Sequence, residues 1–353
     1  INVVKALNYA AMGQLMEAVV EARQIDHRLN VLSDSAKEKD GYREDAFARY
    51  LTGVLYEATG DLNNAFIAYR KAYEIYESTR GWARTPMPPM LRADLLRTTD
   101  ALHMTAEFEE YRRQFPDTGW VSLQGQPDLA QVVVIGYNGR APRKEEVHLD
   151  IPVSLGALQL VLLNRGVIHA SNRQERRVAD SVLYGLNGRV VRVALPRLVP
   201  QKTQVSHESI TLVPRNGEPI TGQSQLMYNS TALAEKSLSD RIPGITTKAL
   251  ARAAVKFTAA EAATRGSQHA VNKGDAAWVG LLVGLLTHGL AVASEVADTR
   301  SWRTLPDEIQ ISRLWVPAGE YESRIQPVLR SGGAPQAGVS RPLVLRAGPT
   351  VFL

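Results

Sequence analysis

The polar run Asp298-Thr299-Arg300-Ser301-Trp302 is the stretch of this sequence whose residue types come closest to chemistry. Arg300 is of the type that grips a carboxylate with both arms of its guanidinium, and Trp302 offers a flat face for stacking beside it. Asp298, two residues before, can instead close that fork locally, and a cluster of this kind also serves to fasten a helix end to a sheet. Catalysis needs more than this: a nucleophile with a base in reach, and no such pattern accompanies the run.

Other chemistries are poorly supported. The seven histidines, His27, His103, His148, His169, His207, His269 and His288, make no i, i+4 pair and no HExxH, so no metal site is expected. Gly185-Leu186-Asn187-Gly188 is too short to cradle a phosphate, and neither GxxxxGK[ST], GxGxxG nor GxSxG occurs. There is no cysteine, which removes disulfides, thiol nucleophiles and cysteine-bound zinc together. No cofactor is expected. The net charge of +5 comes from the second part of the chain: up to Pro116 there are 15 Lys+Arg against 17 Asp+Glu, and after it 26 against 19. The excess is carried by scattered arginines such as Arg173, Arg176 and Arg177, without the interleaved aromatics of a nucleic-acid platform, so no nucleic-acid partner is expected.

Behind the polar run lies the longest apolar stretch, Ala276 to Ser294, in which His288 is the one strongly polar side chain. Its roughly 19 residues approach the length of about 20 that a spanning helix requires. Its alanines and glycines contribute little to transfer, and Glu295, Asp298, Arg300 and Arg303 crowd its end. A helix over Trp278 to Ser294 covered by protein is therefore expected, with Gly280 and Gly284 allowing a close helix contact within the chain or with a second copy.

The elements that carry this region divide into two parts. Near the start, ALNYAAMGQLMEAVVEARQI (Ala6 to Ile25) predicts two helices broken at Gly13, and RYLTGVLYEATGDLNNAFIAYRKAYEIY (Arg49 to Tyr76) predicts two more broken at Gly60-Asp61. Tyr9 aligns with Tyr56, Gly13 with Gly60, Leu15 with Leu62, Ala18 with Ala65 and Ala22 with Tyr69, a repeat of period 47. The second copy has the small and large residues of a tetratricopeptide (TPR) unit, with Gly53 and Ala65 for close crossing and Tyr56, Tyr69 and Ala72 as filling. About 13 residues beyond the usual period of 34, near Asn30 to Tyr42, are assigned to a longer connection. A third pair is predicted over Leu91 to Leu102 and Ala106 to Phe115, entered through Pro86 to Pro89. Repeats of this kind leave a concave face for a partner segment, and Tyr9, Arg49 and Tyr56 are its candidate lining residues, with inter-helix packing the competing role for the two tyrosines.

Past a Gly- and Pro-containing boundary at Phe115 to Gln126, strands are predicted at Gln131 to Tyr137, Val147 to Val153, Gln159 to Leu163, Arg189 to Leu195, Glu208 to Pro214, Leu226 to Tyr228, Gln310 to Val316, Arg324 to Leu329 and Arg341 to Leu345. Between them, helices are predicted over Thr231 to Arg241 and Thr246 to Arg265, separated by a break at Ile242-Pro243-Gly244. The fold class is thus α+β: an N-terminal all-α TPR-like repeat domain (1–118), then a mixed β-sheet domain (119–353) with inserted helices over about 231–298.

Taken together, YREDAFARYLTGVLYEATGDLNNAFIAYRKAYE, NGRAPRKEE, ALPRLVP, ITTKALARAAVKF and ADTRSWRTLPDEIQISRLWVPAG resemble a family of bacterial outer-membrane/periplasmic lipoproteins with TPR-like repeats. The resemblance covers nearly the whole chain, and the Asp298-Thr299-Arg300-Ser301-Trp302 block is its most specific part. It implies export to the periplasm, a lipid anchor on a cysteine upstream of residue 1 and not a spanning helix, and genes placed beside lipoproteins similar to the curli secretion channel. The family carries no established catalytic residues. A non-enzymatic scaffold or assembly subunit, with other envelope lipoproteins or itself as partners, is the expected role; the alternative is an envelope ligand-binding protein or enzyme using Asp298, Arg300 and Trp302.

Overall fold

The computed structural model of the chain describes residues 1–36, 45–123, 128–152, 190–246, 297–302, 304–332 and 337–353. The expected strand Gln159 to Leu163, the helix Thr246 to Arg265 beyond its first residue, and the apolar helix with Gly280 and Gly284 lie outside them. Six helices come first: α1 (Asn2–Ala11), α2 (Leu15–Ala36), α3 (Ala46–Ala58), α4 (Leu62–Thr79), α5 (Pro89–Ala101) and α6 (Thr105–Gln114). Ten strands follow: β1 (Leu129–Asn138), β2 (Arg140–Pro152), β3 (Val190–Gln201), β4 (Val205–Pro214), β5 (Ile220–Gln223), β6 (Gln225–Asn229), β7 (Glu308–Pro317), β8 (Gly319–Leu329), β9 (Val339–Leu345) and β10 (Thr350–Phe352). The chain is mixed α+β, helical first and strand-rich after.

Each helix packs on the next in sequence, and local signals set their ends. Asp45 and Asp61 cap α3 and α4 by accepting from the N–H groups of Ala48 and Asn64, while Pro89 starts α5, where its missing N–H costs nothing. The turns inside the three helix pairs are built alike. Gly13 and Gly60 both adopt positive φ (75° and 81°); their N–H groups bond to Ala10 and Glu57, and the next N–H, of Gln14 or Asp61, bonds to the carbonyl of Tyr9 or Tyr56. The third pair repeats this with His103 (φ 56°): His103 N–H bonds to Asp100 O and Met104 N–H to Thr99 O. A Cβ in the left-handed region costs roughly 1–2 kcal/mol, partly offset by the looser unfolded chain of a glycine. His103→Gly is therefore expected to stabilise the protein by about 0.5 kcal/mol in a denaturant titration.

One difference from the sequence reading lies in the connection after the first pair. Residues 30–36, at the start of the expected longer connection, continue α2, because Val31-Leu32-Ser33-Asp34-Ser35-Ala36 holds no glycine or proline to end a helix.

The strands make two four-stranded sheets and a two-stranded ladder. The first sheet has the order β10-β1-β7-β6, in which β1 pairs with β10 in parallel and with β7 antiparallel; the second, β5-β4-β8-β9, is antiparallel throughout. Alternation along β1 explains the layering. Ala130, Val132 and Val134 pack against Ile210, Leu212, Tyr321, Leu343 and Leu345 of the second sheet, whereas Val133 joins Met227, Ile309, Ile311 and Phe352 in one core with the helices. The first sheet thus has one face on the helices and the other on the second sheet.

By compactness the chain separates into two units, Ile1–Pro142 with Pro200–Lys236 and Trp302–Leu353, and Arg143–Val199 with Ser237–Ser301. The first unit runs across the expected boundary at 118/119, since the helices and the first sheet share a core. The second contains the greater part of the β2-β3 ladder. At Asn138-Gly139 the chain turns a corner and leaves the first sheet, and β1 and β2 do not pair. Gly139 (φ 67°) sits where a Cβ would fall 2.9 Å from Thr203 Cβ and 3.1 Å from Thr203 N, so the corner requires glycine twice over. The break expected at Ile242-Pro243-Gly244 is not one: residues 230–246 are helical, because a proline removes a single ladder bond and can bend a helix without ending it.

Candidate functional site

The polar run is exposed and locally tied. In the second unit, Arg300 donates to Asp298 through its backbone N–H (3.1 Å), Nε (2.9 Å) and Nη2 (2.9 Å). The Arg300 hydrogen bonds hold the Asp298 carboxyl well below the usual carboxylate range. In the first unit, Trp302 is 53 % exposed and its indole N–H donates to Thr304 Oγ1. Asp298 therefore already occupies the face of the guanidinium that a ligand carboxylate would use.

Two of the three candidates for a concave partner face are interior. Arg49 is 1 % exposed, with Nη1 bonded to Asp26 and Nη2 to Asn30 (2.8 Å), and Tyr56 is buried in the helical core. Neither can line an exposed face, which corrects that reading. Arg49 lies on the inward side of α3, where its charge is matched by α2. Tyr9 is partly buried and packs against the same core.

Among the described residues, an extended polar constellation lies where the helices meet the first sheet. Arg313 of β7 is on the same face as Ile309 and Ile311, and reaches into the helical layer. Its Nη2 donates to Glu57 Oε2 of α3 (2.7 Å), and its Nη1 to Asp94 Oδ2 of α5 (2.7 Å) and to the Tyr69 hydroxyl of α4 (3.0 Å). With the Gln131 amide oxygen turned toward it, Arg313 Nε and Nη2 also donate to that oxygen, and the Gln131 nitrogen donates to Thr350. Arg97 grips Glu57 with Nε (2.7 Å) and Nη2 (3.0 Å), adds a bond to Asp94 (2.5 Å), and stacks over the Trp315 ring at 5.1 Å. Tyr50 donates to Asp94 (2.7 Å) and Tyr69 to Glu57 (2.6 Å).

Two cations and two carboxylates thus balance in full burial, with side chains 3–4 % exposed. Burial alone would push the Glu57 carboxyl up, but Arg97 and Arg313 outweigh it and hold it well below its ordinary value. Burial likewise works against the charge on Arg313, and Asp94, Tyr69 and Glu57 more than restore it. Every strong acceptor is already engaged, so the cluster has no group left for a substrate. Its chemistry is that of a clamp joining α3, α4 and α5 to β7. Sequence reasoning missed it, although a signal existed: Arg313 stands at period 2 with Ile309 and Ile311, where an apolar side chain is expected.

A different surface is open. On α1 and α2, Val4, Met12 (61 % exposed), Met16 (68 %), Val20 (54 %), Val31 and Leu32 are all exposed. Met16, Val20 and Val31 recur at spacings of four and eleven, which is one face of α2. Among the described residues no helix is long and apolar enough to cross a membrane, and no group of three or more His, Asp or Glu is placed to hold a metal ion. Compared with protein-family models, curated proteins and solved structures, the chain matches none.

Proposed function

We propose that this protein is a non-enzymatic scaffold or assembly subunit of a multi-lipoprotein complex of the bacterial cell envelope, at the periplasmic side of the outer membrane. The observation that carries the reading is the set of exposed apolar side chains on the outer face of the first helix pair, interspersed with Gln24 and His27. Stacked helical repeats need a polar outer face on their terminal unit to stay soluble alone, and here that face presents Met16, Val20 and Val31. Large exposed apolar patches mark interaction surfaces. The buried ionic cluster fits the same role, since it fixes the helices rigidly on the sheet and offers nothing to a substrate. Compartment and partner type rest on the resemblance of the sequence blocks described above.

The test is crosslinking in intact envelopes followed by purification from membranes. The native chain is expected to be recovered in crosslinked complexes with other envelope proteins or with itself. Met16→Glu combined with Val20→Glu should reduce that yield about ten-fold with no change in the thermal transition. Recovery of the native chain solely as a soluble monomer overturns the proposal.

A further inference from the structure

Buried charges are ordinarily paired, and Arg49, Glu57, Asp94, Arg97 and Arg313 follow that rule. Asp45 is only partly covered and differs from them: it caps α3 by accepting from the N–H groups of Ala48 and Phe47, and among the described residues no charged side chain acts on it to hold it ionised. Part of its surface reaches the mouth of a cavity, yet it lies deep enough that burial pushes its carboxyl up to about 6.

That cavity, between α3, α4 and β6, measures ≈ 390 Å³ with its mouth included, and its walls include Phe47, Tyr76, Trp82, Tyr228 and Asn229 beside Asp45. The Phe47 and Tyr228 rings lie 6.2 Å apart at 49°, and the Tyr76 hydroxyl is committed to Met227 O (2.7 Å). The cavity interior has room for about three waters and so for a compact head group. Among the described residues, Arg84, which lies between the wall residues Ala83 and Thr85, pairs with Glu235 (2.9 Å), and Lys202, which reaches the wall residue Asn229 (3.4 Å), pairs with Asp307 (3.5 Å).

These features select the occupant by charge. An anion would meet a carboxylate that already holds the helix N–H groups, and a neutral apolar group would cut that carboxylate off from water and offer it no charge in return. A carboxylate in a cavity whose walls include four aromatic side chains is suited to an organic cation, which aromatic rings attract through their negative faces. We infer that this cavity binds a small organic ammonium ion, its positive head on the Asp45 carboxylate and against the rings of Phe47, Tyr76, Trp82 and Tyr228. The site is separate from the α1–α2 face, so it stands or falls independently of the scaffold reading.

Isothermal titration of the full chain with choline and methylammonium chloride, at fixed ionic strength, tests it, with 3,3-dimethyl-1-butanol, the uncharged isostere of choline, as control. Saturable binding of an ammonium and none of the alcohol is expected. Because Asp45 is charged above about pH 6 and neutral below, affinity should fall about ten-fold between pH 7.5 and pH 5. Asp45→Asn, which keeps the helix cap, should weaken binding at least ten-fold, and Tyr228→Leu, which leaves the cap untouched, about five-fold. Absence of saturation, equal binding of the alcohol, or unchanged affinity in either variant overturns the inference.

Discussion

Arg313→Ala is expected to destabilise the protein by about 3–5 kcal/mol, the cost of removing one partner from a buried ionic group. The side chain itself is not what makes the loss large. Without it, Glu57 and Asp94 remain in full burial with Arg97 alone between them, and Tyr69 and Gln131 lose a shared donor. Arg313→Lys should recover little, since an ammonium cannot reproduce a fork that spans α3, α5 and β1 at once. Removing charge in matched amounts should cost less than the sum of its parts: Arg313→Met with Glu57→Gln is expected to be more stable than the two single losses predict, by at least about 1 kcal/mol. Urea titrations of the four chains measure this. A loss below about 1 kcal/mol for Arg313→Ala would show that the cluster does not clamp the helices to the sheet.

The same cluster gives the protein an acid limit. The folded-state value of Glu57 lies below its ordinary 4.5 because Arg97 and Arg313 outweigh burial. A depressed carboxyl contributes stability that is fully present above pH 4.5 and is lost as pH falls through the folded value. Stability should accordingly drop on acidification below about pH 4.5 in the native chain, and drop less steeply in Arg313→Ala, where the depression is weaker.

How far the sequence reveals this molecule depends on whether each signal is local. The turns at Gly13 and Gly60 could be found because a left-handed residue selects glycine, and β1 and β7 because Val132-Val133-Val134 and Ile309-Gln310-Ile311 carry β-branched or alternating patterns. His103 breaks the glycine signal while making the same turn, so that copy of the repeat was legible as helices and not as a turn. β10 is only Thr350–Phe352 and exists through its parallel pairing with Gln131, Val132 and Val133, a partner that nothing in three residues specifies. Apart from the place of Arg313 in the period of β7, the ionic cluster was hidden for a related reason. Glu57, Asp94, Arg97 and Arg313 are residue types expected at the surface, and only the seating of the first sheet on the helices makes them interior. Exposure also decided the opposite case, since Arg300 looked like a ligand grip until its fork closed on Asp298. The division of the chain into units was hidden too, because residues 200–236 and 302–353 return to a core begun by the helices.

Gly53→Ala tests the close helix crossing directly, and its sign distinguishes packing from propensity. In an isolated helix, alanine in place of glycine gains about 0.8–1 kcal/mol. Here a Cβ on residue 53 would lie 2.5 Å from both Cδ1 and Cε1 of Tyr69, so the ring of α4 must move. It cannot move freely, because its hydroxyl is held by Glu57 (2.6 Å) and Arg313 (3.0 Å) and its ring lies 5.5 Å from that of Tyr50. Overpacking costs typically 1–3 kcal/mol, and displacing the hydroxyl would add the loss of its bond to a charged acceptor, about 1.5–3 kcal/mol. A net destabilisation of about 2 kcal/mol is therefore expected. The first helix pair shows why the crossing tolerates alanine elsewhere: at the positions 47 residues earlier stand Ala6 and Ala22, both fully buried, so a methyl group there faces another small side chain in place of a ring. Tyr69→Leu in the Gly53→Ala background should consequently cost less than it does in the native chain, measured as a positive coupling in a urea cycle. If Gly53→Ala stabilises the protein, helix α4 is free to shift and the ring is not fixed by the ionic cluster beneath it.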